Sequence, residues 1–222
     1  MTVKNIKVKD PGSAITHLIG FLMALFAATP LLIKAAHQPS SIHMISLGIF
    51  ILSMILLYVA STVYHTFGKT LKVHVRLKKL DHMAIYVLIA GTYTPICLIV
   101  LGGKTGLMML ALIWGLAALG ILVTGLWVHC PKWVSSVIYI AMGWTCVIAF
   151  TQIINSLPSA AFNWLLAGGI IYTIGGIIYA LKLPIFNNKH RYFGSHEIFH
   201  LFVMGGSICH FILMYNYVAI MP

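Results

Sequence analysis

Acidic side chains are nearly missing from this chain: Asp10, Asp81 and Glu197 are the only three among 222 residues. Charged residues of both signs make up 8% of it, against roughly 25% in a soluble domain whose surface must face water. That scarcity excludes an ordinary soluble globule. With 60% hydrophobic residues and a mean hydropathy of +0.98, the chain is built to face lipid. Cysteine is sparse as well. Cys97, Cys130, Cys146 and Cys209 form no C-x-x-C pair and three of them lie in apolar runs, so no disulfide is expected. Low-complexity tracts and obvious repeats are absent. The net charge of +11 does not imply nucleic acid, because the basic residues lie between apolar runs and not on one soluble face.

What the chain does have is long apolar runs. A bilayer-crossing helix needs about 20 largely apolar residues, and seven runs qualify, at about 14–36, 42–67, 82–101, 107–128, 133–154, 163–181 and 196–218. Turn-forming residues separate them, including Gln38-Pro39-Ser40, Gly102-Gly103, Cys130-Pro131 and Ser156-Leu157-Pro158. The predicted fold is an all-α integral membrane protein, one seven-transmembrane bundle over residues 1–222. The first run follows Lys4, Lys7 and Lys9 as a signal peptide would. Its length, and Lys34 where a cleavage site should lie, mark it as a retained helix.

Charge sets the expected orientation. A cytoplasmic N-terminus puts twelve of the fourteen Lys and Arg residues inside and leaves only Lys34 and Lys104 outside. The positive-inside rule therefore predicts a multi-pass protein of the cell membrane with its N-terminus in and its C-terminus out. The run from Lys69 to Lys79 reads as an inside loop held by anionic headgroups. Gly168-Gly169 and Gly175-Gly176 predict close helix packing in span six.

The remaining polar residues are the informative ones. An ionisable group in lipid costs several kcal/mol unless paired, so it is a functional candidate. His196 and His200 are four apart at the start of span seven, on one helical face, within a literal H-E-x-x-H pattern. In the orientation above, His65 ends span two and Asp81 opens span three at the same depth. Three imidazoles and an acid at one level suit a metal, since a catalytic zinc takes three protein ligands and leaves a fourth position open. Asp81 has a simpler reading as the cap of span three, and Glu197 as the cap of span seven. Ser61 sits one turn before His65, on the same face. His17 reads as a packing or outer-sphere residue, and His210, about 15 Å deeper than His200, cannot share its metal. His37, His43, His74, His129 and His190 are expected to be solvated at loops or their edges.

These residues carry a resemblance. Ser61-Thr62-Val63-Tyr64-His65, Leu80-Asp81-His82, Ala90-Gly91-Thr92-Tyr93-Thr94-Pro95, His196-Glu197-Ile198-Phe199-His200 and Gly206-Ser207-Ile208-Cys209-His210-Phe211 resemble the bacterial hemolysin III group of the progestin and adipoQ receptor superfamily. The resemblance covers nearly the whole chain. It implies seven helices and a zinc ion near the cytoplasmic surface, held by His65, His196 and His200. It also implies Asp81 beside the zinc-bound water and Ser61 behind it. Eukaryotic relatives act as receptors and are associated with ceramidase activity; bacterial ones carry the hemolysin name and are linked to membrane homeostasis.

The leading expectation is therefore a zinc-dependent hydrolase of a lipid amide or ester, with Asp81 and Ser61 as catalytic residues. Membrane lipids are the expected partners, and no protein partner is implied. A homeostasis sensor with structural zinc is the alternative. An intramembrane metalloprotease with Glu197 as base ranks lower, because Val203 and Gly206 stand where the extended H-E-x-x-H-x-x-G-x-x-H pattern needs Gly and His. A pore-forming hemolysin ranks last, since the polar residues gather at one side.

Overall fold

The computed structural model describes residues 8–67, 70–127, 130–181 and 193–222. Every regular element among them is helical, and seven helices are long and apolar enough to cross a membrane. They are α1 (Pro11–Ala36), α2 (Ser41–Thr66), α3 (Leu71–Leu101), α4 (Gly103–Leu126), α5 (Lys132–Ser156), α6 (Ser159–Leu181) and α7 (Ser195–Ile220). The protein is a multi-pass membrane protein. Lys4, Lys7, Lys69, His129, Lys182, Lys189, His190 and Arg191, which entered the charge and histidine expectations, lie outside the described residues.

Local chemistry sets most helix starts. Pro11 opens α1, where its missing N–H costs nothing. The Ser40 hydroxyl accepts from the Ile42 amide at 3.2 Å to begin α2. Glu197 reaches back to the Gly194 amide at 2.8 Å to begin α7.

Helix α3 departs from expectation. It starts at Leu71 rather than at 82, and its N-cap is Thr70, whose hydroxyl accepts from the Val73 amide at 3.4 Å. The basic segment is thus helix and not loop, because its Leu, Lys and Arg residues are good helix formers. A 31-residue helix is about 46 Å long, well beyond a hydrocarbon core of about 30 Å. Asp81 is consequently no cap. It lies well inside α3, 7% exposed.

The bundle closes by neighbours: α2 packs on α1 and α3, α3 on α4, and α7 on α6 and α1, while α5 leans mainly on α6. Phe50, Leu47, Ile51 and Tyr86 are buried at its centre, and Leu107, Met108, Leu119 and Leu122 of α4 face outward as lipid contacts. Helices α2 and α3 meet at Gly91, where a Cβ would overlap Ser53 and come within 3.3 Å of the Ile49 carbonyl. Gly168, Gly175 and Gly176 of span six behave similarly, whereas a Cβ on Gly169 would meet nothing within 4 Å. A Cβ on Gly175 would lie 2.6 Å from Phe202 Cβ on α7.

Two helices are broken inside the bundle. The end of α3 winds into a π-helical turn over Ile96–Leu101 after Pro95, and the middle of α5 tightens into a 3-10 segment over Trp144–Ala149. Tyr93 holds the α5 break: its hydroxyl donates to the Gly143 carbonyl at 2.6 Å and accepts from the Cys146 amide at 2.8 Å. His43 also departs from expectation. It is 4% exposed on α2, buried by the neighbouring helices, whereas His37 is exposed as predicted.

Candidate metal centre

The helix directions bring the start of α1, the end of α2 and the start of α7 to one end of the bundle. The Asp10 amide donates to the His65 carbonyl at 3.0 Å, fixing the first two together. There His65, His196 and His200 form a group whose ring nitrogens lie within 4.8 Å of one another, a group able to hold a metal ion. Their ring centroids are 4.5–5.2 Å apart.

Hydrogen-bond partners decide which nitrogens are free. His65 Nδ1 lies 3.0 Å from Asp10 Oδ2, a carboxylate that only accepts, so the proton belongs on Nδ1 and Nε2 keeps its lone pair. His200 Nδ1 lies 3.1 Å from the Thr16 hydroxyl. That hydroxyl spends its one hydrogen on the Gly12 or Ser13 carbonyl, each at 3.0 Å, so it accepts from His200. His200 Nε2 is thereby left as a free ligand.

The fit to a metal can then be tested. His65 Nε2 faces His196 Nε2 at 3.2 Å. Tetrahedral zinc with bonds of about 2.0–2.1 Å sets its ligand nitrogens about 3.3 Å apart. Two imidazole lone pairs repel at that distance unless a proton or a cation lies between them. His196 Nδ1 is buried and unpartnered, so its tautomer is not locked as those of His65 and His200 are. The donor set fits a tetrahedral ion with one open position.

Outside the ligands, charge is arranged in order. Burial raises the Asp10 carboxyl, but the His65 hydrogen bond and the Lys9 ammonium at 3.1 Å outweigh it and hold Asp10 below the usual carboxylate range. Glu197 is committed to structure. Its Oε2 caps α7, and Oε1 accepts from the Ser13 hydroxyl. Asp81 and the fully buried Ser61 line the same cavity as His196 and His200.

Residues 6–211 match the family described as haemolysin-III related. The chain belongs to that family. A hemolysin-3 homolog of Bacillus subtilis (strain 168) is 40% identical over 216 residues, covering 96% of each chain. Hemolysin-3 of Bacillus cereus is 39% identical over 211 residues, 95% of this chain and 92% of the relative. An adiponectin receptor protein of Drosophila melanogaster is 23% identical over 222 residues, covering 91% of this chain but 49% of the receptor.

In this haemolysin-III protein the metal group stands at one end of a cavity of about 190 Å³. His196, His200, Asp81 and Ser61 line that end, and the walls beyond are largely apolar, with Ile96, Phe150, Ile153 and Phe162 among them. Local spacing and depth mark the three histidines in the sequence, whereas Asp10 and Thr16 carry no such spacing signal. The available signal for Asp10 was Pro11 at the first helical position, which makes Asp10 the residue at the membrane edge of α1. His17 packs against the site, its ring stacked on His200 at 3.5 Å and 9°.

Proposed function

We propose that this protein is a zinc-dependent hydrolase of a lipid amide or ester, working at the cytoplasmic end of the bundle. One observation carries the reading: three imidazoles converge, and two of them, His196 and His200, line an apolar cavity together with the buried Asp81 carboxyl. His65, His196 and His200 would hold the ion. A bound zinc would supply a Lewis acid for the substrate carbonyl and lower the pKa of a coordinated water toward about 7.

The chain's own residues do the rest. Asp81 would orient the attacking water, take up its proton and deliver it to the departing amine or alkoxide, with Ser61 buried nearby. Asp10 and Thr16 keep the His65 and His200 rings in the ligating tautomer. The apolar walls take up the acyl chain, so that the headgroup bond meets the histidines. A base role for Glu197, as a protease would need, requires breaking its cap on α7.

The orientation follows from charge. Lys9, Lys72, Arg76, Lys78, Lys79 and Lys132 stand at the metal end of the helices, and Lys34 and Lys104 at the other. That asymmetry supports a cytoplasmic metal site in the cell membrane.

The test is metal analysis of purified wild type and of His65→Ala, His196→Ala and His200→Ala, joined to mass spectrometry of membrane lipids incubated with each. Wild type should carry about one zinc per chain and release a free fatty acid, and each variant should lose both. Zinc lost in the variants with no lipid product from wild type would favour the sensor with structural metal.

A further inference from the structure

Ten residues beyond His200 on α7, His210 reaches the same cavity at another depth, about 15 Å along the helix axis. It is 6% exposed, and its Nδ1 has no hydrogen-bond partner. The bundle makes room for this ring deliberately. Gly168 on α6 passes so close that a Cβ there would lie 2.7 Å from His210 Nε2.

His210 does not stand alone. Its ring stacks on Tyr172 at 5.4 Å and 20°, and Tyr172 also lines the cavity. The Tyr172 and Tyr58 hydroxyls meet at the Ser207 hydroxyl, at 2.9 and 2.8 Å. Three hydroxyls carry three hydrogens, and two bonds among them use only two. One hydroxyl hydrogen is therefore in surplus. The neutral imidazole adds an N–H and a lone pair of its own. At the depth of the hydrocarbon core, such groups are expensive unless something meets them.

We propose that His210 and Tyr172 form a second recognition subsite in the cavity, one that binds a hydroxyl carried partway along an apolar chain. A hydroxyl suits it because it donates to the imidazole lone pair and accepts the surplus hydrogen. An unsubstituted acyl chain meets neither need. This subsite rests on the lipid reading of the cavity given above. If the head of that lipid lies at the histidines, 15 Å corresponds to about twelve carbons, because each C–C bond of about 1.5 Å advances an extended zigzag chain by about 1.3 Å.

Binding separates this proposal from catalysis. The probes are octadecanoic acid and its 10- and 12-hydroxy derivatives, titrated by calorimetry into zinc-loaded protein in detergent. A net hydrogen bond contributes enough for about a 2- to 10-fold preference for a hydroxylated chain in wild type. His210→Leu should bring the ratio to about one with zinc content unchanged. Tyr172→Phe, which removes a single oxygen, should reduce the preference even if His210→Leu fails to fold. Equal affinity for the plain and hydroxylated chains in wild type, the behaviour of a subsite that merely holds water, overturns the proposal. So does a preference that survives in both variants. His65→Ala, with its metal site broken, distinguishes the two readings: a hydroxyl preference retained there supports the subsite even where zinc chemistry has failed.

Discussion

Removing the Asp10 charge should loosen the metal without unfolding the bundle. Asp10 Oδ2 stands 3.0 Å from His65 Nδ1 and 3.1 Å from Lys9 Nζ. In Asp10→Asn the ring N–H keeps an acceptor but loses a charged one. Charge-assisted hydrogen bonds are roughly twice as strong as neutral ones, and a neutral bond contributes about 0.5–1.5 kcal/mol net. The expected loss is about 1 kcal/mol, roughly fivefold in zinc affinity. Asp10→Ala removes the acceptor altogether and should cost about 10-fold or more, the lower end of the range for outer-sphere partners. The lower end applies because the Asp10 side chain is 42% exposed and partly screened by water. Competition against a chromogenic zinc chelator measures both values on purified protein, with thermal unfolding of the metal-free forms as control. If Asp10→Ala binds zinc within twofold of wild type, the tautomer argument for His65 is wrong.

Three further substitutions probe other parts of the argument. Thr16→Val removes the acceptor for His200 Nδ1 and should weaken zinc about 10-fold, whereas Thr16→Ser should stay near wild type in the same chelator assay. Gly91→Ala drives a methyl group into Ser53 and should cost about 1–3 kcal/mol of stability, read as a lowered melting temperature. Ser53→Gly in the same chain should restore part of that loss. Tyr93→Phe leaves the Gly143 carbonyl and Cys146 amide of the α5 break without their shared partner. It should cost about 1–3 kcal/mol by thermal unfolding, and hydrogen exchange should quicken at Cys146.

The helix count, the three histidines and the capping role of Glu197 were legible because each rests on a local pattern. Apolar run length gives the spans, an i, i+4 spacing puts His196 and His200 on one face, and an acid in the first turn caps α7. The start of α3 was misread for a physical reason. Hydropathy marks where a helix enters lipid, and it is silent about a helix continuing through charged turns into water. The alternative reading of Asp81 as a cap of that helix fell with that one correction. Asp10 and Thr16 were missed because their partners are 55 and 184 residues away, and only packing of α1 between α2 and α7 brings them together. The cavity is likewise a property of how side chains from distant helices, among them α3, α5, α6 and α7, surround one space, and no local pattern encodes it.

Among the described residues, six carry buried side-chain polar atoms with no hydrogen-bond partner: His17, His43, Ser61, Ser136, His196 and His210. Five of the six line the cavity, and His43 is the exception. Each such atom costs about 1–3 kcal/mol, so a bundle selected for stability alone would have scattered or removed them. Their gathering on one cavity suits a polar guest that would complete their bonds. His17 gives the sharpest test, since both of its ring nitrogens are unpartnered while its ring stacks on His200 and meets Tyr58 edge-on at 5.2 Å. His17→Phe keeps the ring and discards the unmet nitrogens. If stability alone shaped the site, this variant gains about 2 kcal/mol or more, at least about 4 °C in melting temperature, and binds octadecanoic acid as wild type does. If the cavity is built for a polar guest, the same gain in melting temperature comes with weaker binding of the acid, measured by calorimetry. A variant that melts lower than wild type would contradict the premise that these nitrogens lack partners within the protein.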